Sequence, residues 1–329
     1  MRITRDMLVK LARDTVEKRF KPDPSVVAVF LVGSVLRDES LLGGTTDIDL
    51  LVITKGEPTF AREVVKLSNE IHLDIFFEAE SLYAKPRELR GDPWRGWTMW
   101  DPLLLHEKSK FFEYTQSILR AQFEDPLNVL ARSRAFASPA RQAWTMAQLG
   151  EMPALPEYLV MVEQVANALA VLSGFPLAER RFLLEFPQRA QLAGLPELND
   201  TLLALLGGLE LTPDTLRGWL PAWESAFTRA AQSHQNLRIH TARLEYYKQA
   251  LLALLDSPTP IAALWPLLNT WMQAVETGTL EQPQLETWQN VLDILRLDPT
   301  GLSLRLQGLD HFLDVLEEKF DEISAQYGL

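Results

Sequence analysis

Short apolar runs rich in β-branched residues are confined to the first 110 residues of the chain, and the sequence after residue 111 is rich in Leu and Ala at helical spacing. Runs of the first kind predict buried strands, and the second pattern predicts helices. Strands are predicted at 26–32, 48–54, 71–77 and 102–108, with helices at 4–20 and 59–70. We therefore predict an α+β fold, in which an N-terminal α/β domain with a small mixed sheet precedes an all-α helical region.

The helical region begins where the predicted strands end. Its candidate helices lie at 111–123, 126–135, 139–149, 156–173, 177–192, 197–206, 213–217, 221–255, 260–276, 282–294 and 303–326. Because almost nothing there has the pattern of a strand, we predict two domains, residues 1–124 and residues 125–329. The helical domain is one unit or two, and a division would fall near residues 210–220.

Charge and composition narrow the classes of function. A net charge of -12 disfavours general nucleic-acid binding, because an acidic surface repels the phosphate backbone. The chain has no Cys, which excludes disulfides, thiolate catalysis and zinc sites built from Cys. The first 20 residues lack the apolar segment of a signal peptide, and no stretch approaches the ~18 apolar residues of a membrane span. We therefore expect a cytoplasmic protein with no membrane partner.

Two aspartates, Asp47 and Asp49, lie at the start of the second predicted strand. Side chains alternate along a strand, so the two carboxylates share one face while Ile48 and Leu50 occupy the other. Carboxylates this close repel each other unless a cation lies between them, and Mg²⁺ is bound by one or two carboxylates together with substrate phosphates. Asp74, on the third predicted strand, would complete such a metal site or accept a proton from an attacking hydroxyl.

Gly33 and Ser34 follow the first predicted strand. A Gly at this position lets the backbone approach a ligand closely, and the N–H and hydroxyl of Ser34 can hold a phosphate oxygen. Arg37 lies three residues further on, within reach of the same phosphates. Together with the aspartates, these residues predict a site for a metal ion and a nucleoside triphosphate.

Residues 26–78 resemble the signature of the nucleotidyltransferase superfamily that includes DNA polymerase β. The matching elements are an apolar strand, a Gly-Ser pair, a variable loop, an Asp-x-Asp between apolar residues and a third acidic position at Asp74. The resemblance implies transfer of a nucleoside monophosphate from ATP or another NTP to a hydroxyl, with release of pyrophosphate. It implies one or two Mg²⁺ ions on Asp47, Asp49 and Asp74, and a nucleotide held by Gly33, Ser34 and Arg37.

The helical half is similar to that of the aminoglycoside nucleotidyltransferases, such as the kanamycin enzyme. In those proteins a helical domain supplies a carboxylate base, and by analogy Glu163 is the candidate here, with Asn167 on the same helix face. Asp74 is the alternative base. The resemblance favours a small-molecule acceptor of aminoglycoside type. The alternatives are a protein acceptor, as in the AMPylating toxin–antitoxin nucleotidyltransferases, and a non-catalytic nucleotide-binding module.

Three further polar residues bear on competing interpretations. Arg229 and His234 form an R-x4-H pair on the helix predicted at 221–255, which resembles the active-site motif of HEPN-type ribonucleases. We expect this pair to be a chance occurrence. We also expect His72 to be a surface residue of its strand, not a metal ligand.

Overall fold

The computed structural model describes residues 3–37 and 41–329. A small mixed sheet occupies the N-terminal part and helices make up most of the remainder, which confirms the predicted α+β class. The strands are β1 (Val26–Val32), β2 (Thr46–Thr54), β3 (Arg62–Lys66), β4 (Ile71–Ala79) and β5 (Leu103–Glu107). They are arranged in the order β3-β4-β2-β1-β5, and β2 and β4 are parallel neighbours while the other pairs are antiparallel.

One face of the sheet is apolar along its whole length. Helix α1 (Arg5–Thr15), capped by the hydroxyl of Thr4, packs on this face and continues as a π-helical turn over Val16–Phe20. Ile48 and Leu50 lie in this core without solvent exposure. The buried face of β2 is therefore the one opposite the two aspartates, as the alternation of side chains along the strand predicts.

The opposite face of the sheet is divided into an apolar end and a polar end. At the apolar end, Phe30 and Leu51 pack with residues of α2 (Arg95–Trp100) and α3 (Phe111–Arg120). The polar end carries the side chains of the first halves of β2 and β4. These side chains include the aspartates of β2 and β4, which need polar or charged partners, because burying an unpaired carboxylate is energetically costly.

The prediction of a helix at residues 59–70 is wrong. Its centre forms the edge strand β3, which pairs with β4 in an antiparallel hairpin. At the hairpin turn the Ser68 hydroxyl accepts hydrogen bonds from the N–H groups of Glu70 and Ile71. The apolar residues of this segment fit the spacing of a helix and that of a strand about equally well. Backbone hydrogen bonds to β4 favour the strand, and the β-branched Val64 and Val65 are well accommodated in it.

Beyond the sheet the chain is helical. The helices are α4 (Pro126–Gln148), α5 (Leu155–Ala170), α6 (Phe182–Ala193), α7 (Leu198–Leu205), α8 (Pro213–Ala231), α9 (Leu244–Leu255), α10 (Leu264–Glu276), α11 (Gln282–Leu295) and α12 (Pro299–Tyr327). Helix α4 continues through Pro139 and α8 through Pro221, so these prolines do not separate helices as predicted. Within residues 3–37 and 41–329, none of the helices has the length and apolar character of a membrane-spanning segment.

The long helix predicted at 221–255 is also wrong. Helix α8 ends at Ala231, and the chain then runs through two short 3-10 turns, Leu237–Ile239 and Thr241–Arg243, before α9 begins. His234 adopts a left-handed backbone with φ of 55°, so it does not share a helix with Arg229. The polar sequence after Ala231 favours turns, because Ser and Asn side chains bond to nearby backbone groups. Here the Asn236 side chain accepts from the Arg238 N–H.

The described chain forms two compact units. The first comprises Met1–Arg90, Trp94–Phe123 and His234–Ala253, and the second contains Gly91–Pro93, Glu124–Ser233 and Leu254–Leu329. Residues 234–253, late in the chain, therefore pack with the sheet. The predicted domain boundary at residues 124 and 125 stays a prediction.

The second unit is held together by helix packing with a few buried polar contacts. The Tyr158 hydroxyl donates to the carbonyl of Leu205 at 2.9 Å, and the Asn167 side-chain oxygen accepts from the N–H of Leu177 at 2.7 Å. On α4, Arg141 contacts three carboxylates of α12, namely Asp310, Asp314 and Glu317.

Candidate functional site

The polar end of the sheet brings four side chains together on two neighbouring strands. In the parallel register of β2 and β4, Asp47 lies beside His72 and Asp49 lies beside Asp74. Residues in register on parallel strands point to the same face, and so do residues two apart on one strand. Asp47 and Asp74 are 8% and 1% exposed. The three aspartates named by the sequence therefore share one face, and two of them are buried.

The Gly-Ser turn lies against this face. Gly33 has a φ of 76°, and a Cβ atom added to it would lie 2.0 Å from Oδ2 of Asp49. Ser34 is half-buried, and its Oγ lies 3.3 Å from Oγ1 of Thr46, the residue before Asp47. Two parts of the sequence motif, separated by a dozen residues, are thus adjacent in space. A side chain at position 33 would compete with the carboxylate for the same volume.

Two arginines hold the carboxylate of Asp74. Arg62, on the edge strand β3, donates from Nε to Oδ1 at 2.7 Å and from Nη2 to Oδ2 at 2.6 Å. Arg243, in the turn before α9, also donates from Nη2 to Oδ2. A carboxylate this buried needs such partners, because an unpaired charge away from water is strongly unfavourable. Neither arginine was predicted as a partner of Asp74, since Arg62 falls in a predicted helix and Arg243 lies 169 residues from Asp74.

Arg243 is itself buried, and its positive charge is stabilised by the residues around it. Burial acts to lower the pKa of the Arg243 guanidinium, but Tyr247, Asp74, Tyr246 and Asp47 raise it, and the net direction is upward. The group therefore carries a permanent positive charge next to the acidic cluster.

Tyr246 covers the other half of the cluster. Its hydroxyl donates to Oδ2 of Asp47 at 2.6 Å, and its ring packs edge-on against the ring of His72 at 4.8 Å between centroids. His72 is 1% exposed, so the expectation that it is a surface residue is wrong. The reason is tertiary, because the residue that buries His72 comes from α9.

A metal ion can bind at this cluster. One ligand atom each from Asp47, His72 and Asp74 lie within 4.8 Å of one another, and all three residues are buried. Carboxylate oxygens suit Mg²⁺ and Mn²⁺, and imidazole nitrogen suits Mn²⁺ less well than it suits Zn²⁺. Asp49 does not belong to this compact group, although the sequence places it among the ligands.

Asp49 differs from the other two aspartates in its surroundings. It is half-buried, and no residue in the described ranges donates a hydrogen bond to its carboxylate. Burial, followed by the charges of Asp47 and Asp74, raises the pKa of Asp49 well above its usual value, and Arg243 and Arg62 oppose this only in part. Among the three carboxylates, Asp49 is thus the one whose charge the protein compensates least.

We expect the Asp49→Asn variant to be more stable than the parent protein at pH 8 in the presence of a chelator, because the amide removes a negative charge that burial and the charges of Asp47 and Asp74 disfavour. The folded-state pKa of Asp49 is raised. Its contribution to stability is therefore fully present below the unfolded-state pKa and is lost as the pH rises through the folded-state value.

Urea unfolding at pH 8 and pH 4 measures this effect, and the gain should shrink at the lower pH. The exposed Asp14 provides the matched control as Asp14→Asn, which should leave the unfolding free energy nearly unchanged at both pH values. Equal effects of the two substitutions at pH 8 would contradict the prediction.

The remaining predicted site residues are placed as follows. Arg37 is half-buried at the end of the 3-10 turn Gly33–Leu36. Residues 38–40 of the following loop, whose phosphate contacts the sequence leaves open, lie outside the described residues. Glu163 is half-buried on α5, in the second compact unit. Its role as a base stays a prediction.

Comparison with known proteins adds little to this geometry. No model of a protein family matches the chain, and no curated protein matches it. Among solved structures, the chain is similar to a nucleotidyltransferase-like protein from Exiguobacterium sibiricum 255-15, with 14% sequence identity and a TM-score of 0.32. The similarity covers 94% of this chain and 91% of that chain. At this TM-score it carries no argument about function, which has to be inferred from the site itself.

Proposed function

We propose that the chain is a nucleotidyltransferase that moves a nucleoside monophosphate from ATP or another NTP to a hydroxyl acceptor. The observation that carries the proposal is the contact between the Gly33 turn and the carboxylate of Asp49. A phosphate-binding turn beside a pair of carboxylates is what a metal-bound triphosphate requires. The acceptor is proposed to be a small molecule of aminoglycoside type, on the resemblance alone.

The residues that would hold a divalent ion are Asp47 and Asp49, with His72 beside Asp47. Asp74 belongs to the same compact group as Asp47 and His72, but both of its oxygens already accept from Arg62 and Arg243. The oxygen-rich donor set fits Mg²⁺ or Mn²⁺. When bound, such an ion would neutralise charge on the phosphates. The chain's own part is to position the triphosphate, through the N–H and hydroxyl of Ser34 and the guanidinium of Arg37, so that the α-phosphorus faces the acceptor.

In the proposed reaction the acceptor oxygen bonds to the α-phosphorus as the bond to the bridging oxygen of the β-phosphate breaks. Pyrophosphate leaves, and the hydroxyl proton passes to a base. Both oxygens of Asp74 accept hydrogen bonds from guanidinium groups, so Asp74 would have to give up an ion pair to take the proton. Glu163 is the other candidate, and its role as the base is proposed on the resemblance to the kanamycin enzyme alone.

The proposal is tested by incubating the full chain with Mg²⁺ and α-³²P-labelled NTPs in three separate pools: aminoglycosides, lysate protein and RNA. We expect label in the small-molecule pool and pyrophosphate release. Label in protein would identify the AMPylating alternative. Nucleotide binding by calorimetry without label in any pool would identify a non-catalytic binding module instead.

Replacing Gly33 by Ala should lower the rate of transfer about 100-fold, because a misplacement of about 1 Å in a reacting assembly has effects of that order. The added Cβ would displace the carboxylate of Asp49. Gly44→Ala is the matched control, since Gly44 has a similar φ of 74° but nothing within 4 Å of the added atom. Both variants should lose about 1–2 kcal/mol of stability from backbone strain. Similar rates for the two variants would argue against a role for Gly33 in placing Asp49.

A further inference from the structure

We infer that Arg243 is a built-in cation of the acidic cluster and takes the place that a second metal ion would occupy at Asp74. The inference rests on the proposed function and concerns the same site. It changes the expected requirement from one or two metal ions to one.

The balance of charge in the cluster disfavours a second ion. The cluster contains three carboxylates, and two guanidinium groups donate to one of them, Asp74. A second divalent ion on Asp74 would lie next to both positive charges, in a region where burial weakens the screening of their repulsion. Asp49, in contrast, receives no hydrogen bond from any residue that the structure describes, so its carboxylate is available to the first ion.

Arg243 is buried among residues that are themselves buried. It is 3% exposed, and its neighbours Ala242 and Tyr247 are buried as well. The N–H of Ala242 donates to Nδ1 of His240 at 3.2 Å, which caps the turn that presents Arg243.

The helix that follows Arg243, α9, contacts the loop before Asp47. The hydroxyl of Thr45 donates to the carbonyl of Tyr246 at 3.2 Å. An atom added to Gly43 would lie 2.0 Å from the carbonyl oxygen of Gln249, so the two backbones are in close contact. Tyr246 in turn donates to Asp47. These contacts hold the start of α9, and with it the backbone that carries Arg243, against the acidic cluster.

The two arginines are not equivalent in this respect. Arg62 reaches Asp74 from the edge strand β3, with its guanidinium over the ring of Phe76 at 4.7 Å and its side chain 21% exposed. Arg243 has a side chain only 4% exposed and interacts electrostatically with Asp47 as well as with Asp74. Arg243 is therefore the group that lies among the carboxylates, and Arg62 closes the cluster from its edge.

The test is to count bound Mn²⁺ per chain by electron paramagnetic resonance, at saturating concentrations of a non-hydrolysable ATP analogue. We expect one ion in the parent protein, two in Arg243→Met, and one in Arg243→Lys and in Arg62→Met. Near-UV circular dichroism verifies that each variant is folded. Arg19→Met controls for the loss of an arginine near the sheet, since Arg19 pairs with Glu63 at a more exposed position.

Two ions in the parent protein would overturn the inference without any variant, so the test does not depend on the folding of Arg243→Met. A folded Arg243→Met that still binds one ion would also overturn it. Failure of the proposed function has a different signature, which is no nucleotide-dependent Mn²⁺ binding in the parent or in any variant.

Discussion

Asp47→Asn is expected to reduce nucleotidyl transfer by about 10²–10³-fold, the loss seen when one charged or polar group that stabilises a transition state is removed. The substitution keeps the shape of the side chain and removes one negative charge. Asp47 is the aspartate with the most polar surroundings on β2, since it lies beside His72 and accepts from the Tyr246 hydroxyl. An amide there would hold the metal-bound triphosphate poorly, because Mg²⁺ depends on carboxylate charge.

The measurement is the initial rate of label transfer from an α-³²P NTP under saturating Mg²⁺, with the folded state of each variant verified by its thermal unfolding. Asp14→Asn removes the same charge from an exposed position on α1 and should leave the rate within about twofold, as distant surface charges are screened by salt. A rate for Asp47→Asn close to that of Asp14→Asn would remove Asp47 from the proposed machinery.

The second large effect concerns stability. Asp74→Ala should lower the free energy of unfolding by about 3–5 kcal/mol, the range for breaking a buried ion pair by removal of one partner. The carboxylate of Asp74 is 2% exposed and is the shared partner of Arg62 and Arg243. Its removal leaves the guanidinium of Arg243 charged and buried next to tyrosine rings, with its compensation reduced.

Urea unfolding at pH 7.5 measures this loss. The control is Glu63→Ala, which breaks the pair of Arg19 with Glu63 on the neighbouring strand, where the side chains are 39% and 31% exposed. Pairs of that kind contribute about 0–1 kcal/mol. If Asp74→Ala and Glu63→Ala were equally stable, the arginines would have to be compensated by groups other than Asp74.

Several features of the sheet were predictable from local sequence. The apolar runs identify β1, β2, β4 and β5, and the alternation along β2 places the aspartates opposite Ile48 and Leu50. The Gly-Ser pair marks the end of β1, and a 3-10 turn does begin there at Gly33. These predictions succeed because each depends on neighbours a few residues apart or on a pattern that every strand obeys.

Two of the failed predictions concern segments whose state depends on distant partners. The 59–70 segment was predicted as a helix and is an edge strand, because its pairing with β4 outweighs its weak periodicity. His72 was predicted at the surface and is buried, because Tyr246 packs on it. The interruption between α8 and α9 was not predicted either, although its Ser and Asn residues are a usable turn signal.

From the sequence alone, the α+β class and the common face of Asp47 and Asp49 follow, because strand alternation is a local property of the backbone, whereas the position of Asp74 beside Asp49 depends on the pairing of β2 with β4. Only the tertiary structure decides what neutralises those carboxylates. The hydrogen bonds from Arg243 to Asp74 and from Tyr246 to Asp47 span 169 and 199 residues of sequence. A buried carboxylate is compensated by whichever charged or polar group the fold brings next to it. The sequence around either aspartate does not indicate which group that is.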